Sequence, residues 1–189
     1  MSFLQQLRAA PNLLTLLRLF LIPYLVIQIL DGRYGIALTL FIIAGISDGL
    51  DGMMARALKQ STRLGQYLDP IADKLLLSTM FLTLTHIGLI PRYVAVLVFS
   101  RDFGILLIST LLFATNTLRD FRPSLLGKLN TLAQIVAVLT ALIVQRWHMP
   151  RVHHANNLLI VAIAWLAPLS AAQYAWIVTR RIQEKPAAV

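Results

Sequence analysis

The stretch SDGLDGMMARALKQSTRLGQYLDPIADK, residues 47–74, decides how the whole chain is read. It holds Asp48, Asp51, Asp69 and Asp73, half of the eight acidic residues in a chain of 189. A carboxylate inside a membrane helix costs about 2.5–3.5 kcal/mol on insertion scales. Four of them gathered in so apolar a chain need a physical reason.

The surroundings are apolar by any measure. The chain is 58% hydrophobic and only 13% charged, with a mean hydropathy of +0.72. A soluble domain is nearer a quarter charged. Six apolar segments flank or follow the acidic stretch, at about 13–30, 34–50, 71–87, 93–113, 125–144 and 158–178. Each is near the length that spans hydrocarbon as a helix. The runs are continuous, without the alternation of a barrel strand. The expected fold is therefore all-α: a polytopic membrane protein of six transmembrane helices forming a single domain over 1–189. A short amphipathic helix at residues 2–10 is expected to precede them. The start MSFLQQLRAAPN lacks a basic n-region and a small-residue cleavage site, so no cleaved signal is expected.

The net charge is +9. Because the basic residues flank apolar runs, they read as topology signals and headgroup contacts rather than a nucleic-acid surface. With six spans, eleven of the 17 Lys and Arg fall on the side that holds both termini and the acidic stretch, and four on the other. Both termini are thus expected to be cytoplasmic, with the carboxylates near the cytoplasmic interface. There is no cysteine, which excludes disulfides and thiolate chemistry.

Asp48 and Asp51 are three residues apart, Asp69 and Asp73 four. On helices each spacing places both carboxylates on one face. Protonation, pairing with Arg56 or Lys74, or a hard divalent cation would each relieve their repulsion. All-oxygen donors with no neighbouring His or Cys suit Mg²⁺, Mn²⁺ or Ca²⁺ rather than Zn²⁺. Gly45, Gly49, Gly52, Ala55 and Gly65 lie in the same region. Glycine weakens a helix by about 1 kcal/mol relative to Ala but permits close approach of a ligand or another helix.

The pattern Asp48-x₂-Asp51-Gly52-x₂-Ala55-Arg56-x₈-Gly65-x₃-Asp69-x₃-Asp73 resembles the signature of the CDP-alcohol phosphatidyltransferases at all eight fixed positions. The resemblance extends to the six-span layout and covers about residues 10 to 180. It implies transfer of a phosphatidyl group from CDP-diacylglycerol to an alcohol, with release of CMP. By the same resemblance Asp48, Asp51, Asp69 and Asp73 would hold two divalent cations, Mg²⁺ or Mn²⁺. Gly52, Ala55 and Arg56 would contact the CDP moiety, with Gly65 giving it room, and Asp73 would be the catalytic base. A homodimer in a bacterial inner membrane, with its active site near the cytoplasmic face, is the corresponding expectation.

Pro11-Asn12-Leu13-Leu14-Thr15-x₂-Arg18 is similar to the start of the glycerol-acceptor branches, which make phosphatidylglycerophosphate or cardiolipin. Thr15, Arg18, Arg101 and Lys128 are the candidate residues for the acceptor and its phosphate. Ser109 and Asn130 stand where phosphatidylglycerophosphate synthases typically carry Arg and Lys. A phosphomonoester dianion wants several cations, so these two departures favour phosphatidylglycerol as acceptor, with glycerol 3-phosphate as the alternative. A divalent-cation transporter is the alternative of a different class. Against it, the acids cluster at one interface and not in mid-membrane repeats. His148, His153 and His154 read as an interfacial loop across the membrane from the carboxylates.

Overall fold

The computed structural model describes residues 10–57, 63–114 and 124–183, with side-chain detail at 12–49, 69, 71–112 and 124–183. Among the described residues it is all-helical: α1 Ala10–Leu30, α2 Tyr34–Ala57, α3 Arg63–His86, α4 Arg92–Ala114, α5 Leu125–Trp147 and α6 Pro150–Gln183. The amphipathic helix expected at residues 2–10 falls almost wholly outside the described residues.

The helices end where local chemistry stops them. At the end of α1, Gly32 takes φ 71°. Its N–H donates to the Ile29 carbonyl at 3.0 Å, and the Arg33 N–H reaches back to Gln28 at 2.8 Å. This is the Schellman arrangement, in which a left-handed residue lets the chain close over the last carbonyls. The same motif ends α3 at Gly88, φ 79°, with Gly88 donating to Thr85 and Leu89 to Leu84. Ser124 caps α5, its hydroxyl accepting from the Gly127 N–H at 3.0 Å. Pro150 opens α6, where a missing N–H costs nothing.

Two boundaries differ from the sequence expectation in ways that matter for the site. The second apolar segment was expected to stop near residue 50, but α2 continues to Ala57. The third was expected to start after Pro70, but α3 begins at Arg63 and runs through it. Hydropathy marks where a helix meets hydrocarbon; backbone hydrogen bonding carries it on into polar surroundings. Both carboxylate pairs are therefore on helices. His153 and His154, read as loop, lie in the opening turns of α6. Only His148 sits in the connection, with φ 52°.

Four helices among the described residues are long and apolar enough to cross a membrane: Asn12–Leu30, Arg92–Leu112, Leu125–Trp147 and Pro150–Gln183. They suggest a membrane protein. The apolar part of α2 is the shorter Tyr34–Gly49, and α3 carries Arg63, Asp69, Asp73 and Lys74 along its length. The two helices that fall short are those that bear the acidic stretch. Many large apolar side chains face outward, Phe20 at 76%, Leu125 at 74% and Trp165 at 69% exposure among them. Lipid is the solvent in which such a surface is stable.

The chain divides into two compact units, Met1–Leu89 with Val138–His153, and Ile90–Ala137 with His154–Val189. In the first, α1 packs along both α2 and α3. The buried face of α1 is Asn12, Thr15, Arg18, Ile22, Leu25 and Ile29, at helical spacing. It is polar for its first turns and mainly apolar afterwards, with Gln28 a buried polar residue near its end. Ala37, Phe41 and Ala44 of α2, and Leu76, Met80, Phe81 and Leu84 of α3, are buried with it. In the second unit, α6 buries Asn156, Ile160, Ile163, Ala167, Ser170 and Tyr174, a stripe at spacings of three and four.

Candidate active site

The polar end of the first unit is assembled from three helices. Thr15 and Arg18 are three apart on α1 and point the same way; both are completely buried. Asp48 lies near the C-terminal end of α2, and Asp69 and Asp73 near the N-terminal end of α3. The Thr15 hydroxyl donates to Asp69 Oδ1 at 2.6 Å. Arg18 Nη1 lies 2.8 Å from Asp48 Oδ1 and also donates to Asp73 Oδ1. One guanidinium nitrogen thus ties α2 to α3.

This geometry explains how a buried arginine is tolerated in an apolar helix. Arg18 does not snorkel. Its charge is met by two carboxylates whose side chains are themselves 45% and 42% exposed. The burial falls on the arginine while the carboxylates keep an open side. Such a pair is held by geometry more than by net Coulomb gain, because desolvating the arginine offsets much of the attraction. Arg18 and Thr15, expected near the acceptor, are placed directly on the carboxylates.

The charge that the described carboxylates meet here is the Arg18 guanidinium. Asp48 and Asp73 reach a single positive centre from two helices, and every donor is an oxygen. Among the described residues, no three His, Cys, Asp or Glu side chains form a group that could hold a metal. The side chains of Asp51, Gly52, Ala55, Arg56 and Gly65 lie outside the described residues; their backbones are helical, in α2 and α3. Among the described residues, an added Cβ at Gly45 or Gly49 would meet nothing within 4 Å.

The second unit holds a separate polar cluster. Arg101 and Asp102 of α4 are both buried and joined through Arg101 Nη1 and Asp102 Oδ1. Arg101 Nε donates to Ser170 Oγ of α6 at 2.9 Å. Two turns further along α4, Ser109 Oγ donates to the Ile105 carbonyl and lies 3.0 Å from the Tyr174 hydroxyl. A Cβ on Gly127 of α5 would come within 2.8 Å of Arg101 Nη2. Gly127 is thus the position where absence of a side chain admits the guanidinium. Asn130 and Gln134 follow on the same face of α5, fully buried. Lys128 points outward. Ser170, Tyr174 and Gln134 were not singled out from sequence. Their only local signal is a polar residue in an otherwise apolar span, which is costly without a partner.

The far end of the first unit is chemically different. A cavity of about 480 Å³ is lined by Arg33, Tyr34, Gly35, Gln145 and Arg146 among others. Gly35 makes room for the Arg146 side chain, 3.2 Å from where its Cβ would stand. His148 follows Arg146 by two residues. Gly35 and Asp48 are separated by thirteen residues of α2, about 20 Å along a helix axis, so this histidine region lies at the end of α2 away from the carboxylates.

Comparison with known proteins gives the class. Residues 8–171 match the CDP-alcohol phosphatidyltransferase family, and the chain belongs to that family. Its members are generally dependent on divalent cations. The chain is similar to a rat protein named cardiolipin synthase (CMP-forming), 34% identical over 150 residues, covering 70% of this chain and 49% of that protein. It is also similar to CDP-diacylglycerol–glycerol-3-phosphate 3-phosphatidyltransferases. That of Bacillus subtilis is 36% identical over 68% of this chain and 73% of its own length. That of Aquifex aeolicus is 32% identical over 82% of this chain and 91% of its own length. The chain spans about half the length of the mammalian relatives it matches.

Proposed function

We propose that the protein is an integral-membrane phospholipid synthase. It transfers the phosphatidyl group of CDP-diacylglycerol to a hydroxyl of a glycerol-type acceptor and releases CMP. The single observation that carries this reading is the convergence of Asp48 and Asp73 on Arg18 beside the Thr15–Asp69 pair, inside a chain of this family.

Asp48, Asp51, Asp69 and Asp73 are the proposed holders of two divalent cations, Mg²⁺ or Mn²⁺. When bound, such ions neutralise the diphosphate and ease the departure of CMP. The acceptor oxygen attacks the phosphorus that bears the diacylglycerol. The bond from that phosphorus to the oxygen of the CMP phosphate breaks. The hydroxyl proton passes to the Asp73 carboxylate. Arg18 acts by positioning: it fixes Oδ1 of Asp73 and of Asp48, so neither carboxylate has to reorient as the reaction proceeds. Thr15 does the same for Asp69. Gly52, Ala55, Arg56 and Gly65 are proposed to receive the CDP moiety, with substrate approach along the side of α2 that bears Gly45 and Gly49.

Phosphatidylglycerol is the acceptor this reading favours. Arg101 is paired with Asp102, Ser109 is engaged by Tyr174, and Asn130 is neutral. Such a set suits a phosphodiester with one negative charge better than a dianion. Glycerol 3-phosphate is the second reading. The observation in its favour is the Aquifex aeolicus relative, which aligns over nearly its whole length. The family match runs through both compact units, which supports one functional domain over 1–189. Six spans, cytoplasmic termini, a bacterial inner membrane and a homodimer complete the proposal.

The test is the lipid product. Purified protein is given CDP-diacylglycerol, Mg²⁺ or Mn²⁺, and phosphatidylglycerol or glycerol 3-phosphate. Cardiolipin with CMP is the expected product. Phosphatidylglycerophosphate overturns the acceptor assignment. Absence of CMP with every acceptor, together with an ion flux that Asp69→Asn abolishes, makes the protein a transporter.

A further inference from the structure

Asn130 and Gln134 are four residues apart on α5 and fully buried. Neither amide finds a hydrogen-bond partner among the described residues: both the nitrogen and the oxygen of each are unmatched. A buried amide without a partner costs several kcal/mol in an apolar medium. Two stacked on one helix face, in a segment of mean hydropathy 1.6, are a liability that packing does not explain. The face they occupy begins at Gly127, where the Arg101 guanidinium lies against the helix. Gly127, Asn130 and Gln134 stand at i, i+3 and i+7, so they form one strip about 10 Å long. The strip has a cation at one end and then two groups that both donate and accept.

We propose that Asn130 and Gln134 bind the hydroxyl groups of the acceptor and so determine its specificity. A carboxamide offers an N–H donor and a carbonyl acceptor, the complement of an alcohol that also does both. A phosphate oxygen only accepts, and would be served better by Lys or Arg at these positions. Cation first and neutral amides after it match a ligand with a single phosphodiester charge and a polyhydroxylated arm. The inference rests on the proposed phosphatidyl transfer for the identity of that ligand, and on the unmatched amides for the site itself. It also gives the amides' burial a sign: without ligand they lower stability, and with ligand they are satisfied.

The experiment uses full-length protein in detergent, with Asn130→Leu and Gln134→Met, which keep the approximate shape of each side chain and remove its polar atoms. Glycerophosphoglycerol, the water-soluble headgroup of phosphatidylglycerol, is the binding probe, and glycerol 3-phosphate its comparison. Glycerophosphoglycerol is expected to raise the Tm of the parent protein more than glycerol 3-phosphate does, and to raise that of the variants little. In the transfer assay kcat/KM for phosphatidylglycerol is expected to fall about fivefold to tenfold for each amide lost, with KM for CDP-diacylglycerol unchanged. The ligand-free Tm is expected to hold or rise. A lowered ligand-free Tm would assign the amides to the fold and overturn the inference. So would a parent protein that glycerophosphoglycerol does not stabilise, or variants that it stabilises equally. Binding of glycerophosphoglycerol without any CMP release would sink the transferase reading while leaving the strip as a binding site.

Discussion

Arg18 is the residue on which the site turns. Its guanidinium is fully buried and lies on two carboxylates from different helices. Arg18→Gln keeps a donor but removes the charge, leaving Asp48 and Asp73 to repel each other. The carboxylates are nearly half exposed, so water screens part of that repulsion. The expected cost is about 1–3 kcal/mol, below the range for a fully buried pair. A lowered Tm together with loss of transfer activity is the expected result; an unchanged Tm would mean the pairing does not hold α2 to α3. Thr15→Val removes one hydrogen bond to Asp69, worth about 1 kcal/mol, and should lower kcat more than it lowers stability. Asp48→Asn and Asp73→Asn are expected to fold normally and to lose CMP release. Full activity in either would contradict its assigned role.

At the scale of the helices, the glycines divide into three kinds by what surrounds them. Gly32 and Gly88 hold left-handed backbone at the ends of α1 and α3. Ala at either is expected to cost about 1 kcal/mol, because a Cβ crowds the following carbonyl in that conformation. Gly127 is kept small by Arg101, and Gly127→Ala forces the guanidinium aside, at an expected 1–3 kcal/mol for overpacking. Among the described residues nothing lies against Gly45 and Gly49 of α2. Ala there should raise stability by up to about 1 kcal/mol through helix propensity. If that side of α2 serves substrate approach, Gly49→Ala raises Tm and also raises KM for CDP-diacylglycerol. A higher Tm with unchanged KM would leave the glycine without a role in substrate access. From sequence, Gly45 and Gly49 read as one feature of the acidic stretch. Only the surroundings of each glycine separate the three kinds.

For the whole molecule, two measurements address cation dependence and topology. Chelation of divalent ions is expected to abolish CMP release, and Mg²⁺ or Mn²⁺ to restore it, with the fold intact by circular dichroism. Activity that survives chelation would remove the metal from the proposal. The chain has no cysteine, so single cysteines can report topology cleanly. One placed in the C-terminal tail and one at His148 should label from opposite sides of the membrane. Labelling from the same side would break the six-span reading. The helix α6 is 34 residues, about 51 Å long, against a hydrocarbon core of about 30 Å. The six-span reading therefore puts part of the helix in a headgroup layer, with Arg180 and Arg181 of its last turn on the side proposed as cytoplasmic.

The sequence by itself determined the helical class, nearly all of the apolar segments and the placement of Asp69 and Asp73 about one turn apart on one helix. Each of these depends on spacing along one helix, and a period of 3.6 residues is legible in a single chain. It also reached the family, because eight motif positions fall in one continuous stretch. Tertiary structure decided the rest. That Arg18 would meet Asp48 and Asp73, that Ser170 and Tyr174 would reach α4, and that Asn130 and Gln134 would be buried without partners among the described residues all depend on how helices distant in sequence pack within each unit. Register and approach between helices are set by the summed packing of many apolar side chains. No local pattern records them, and so the pairing of the site's charges could be found only in the folded chain.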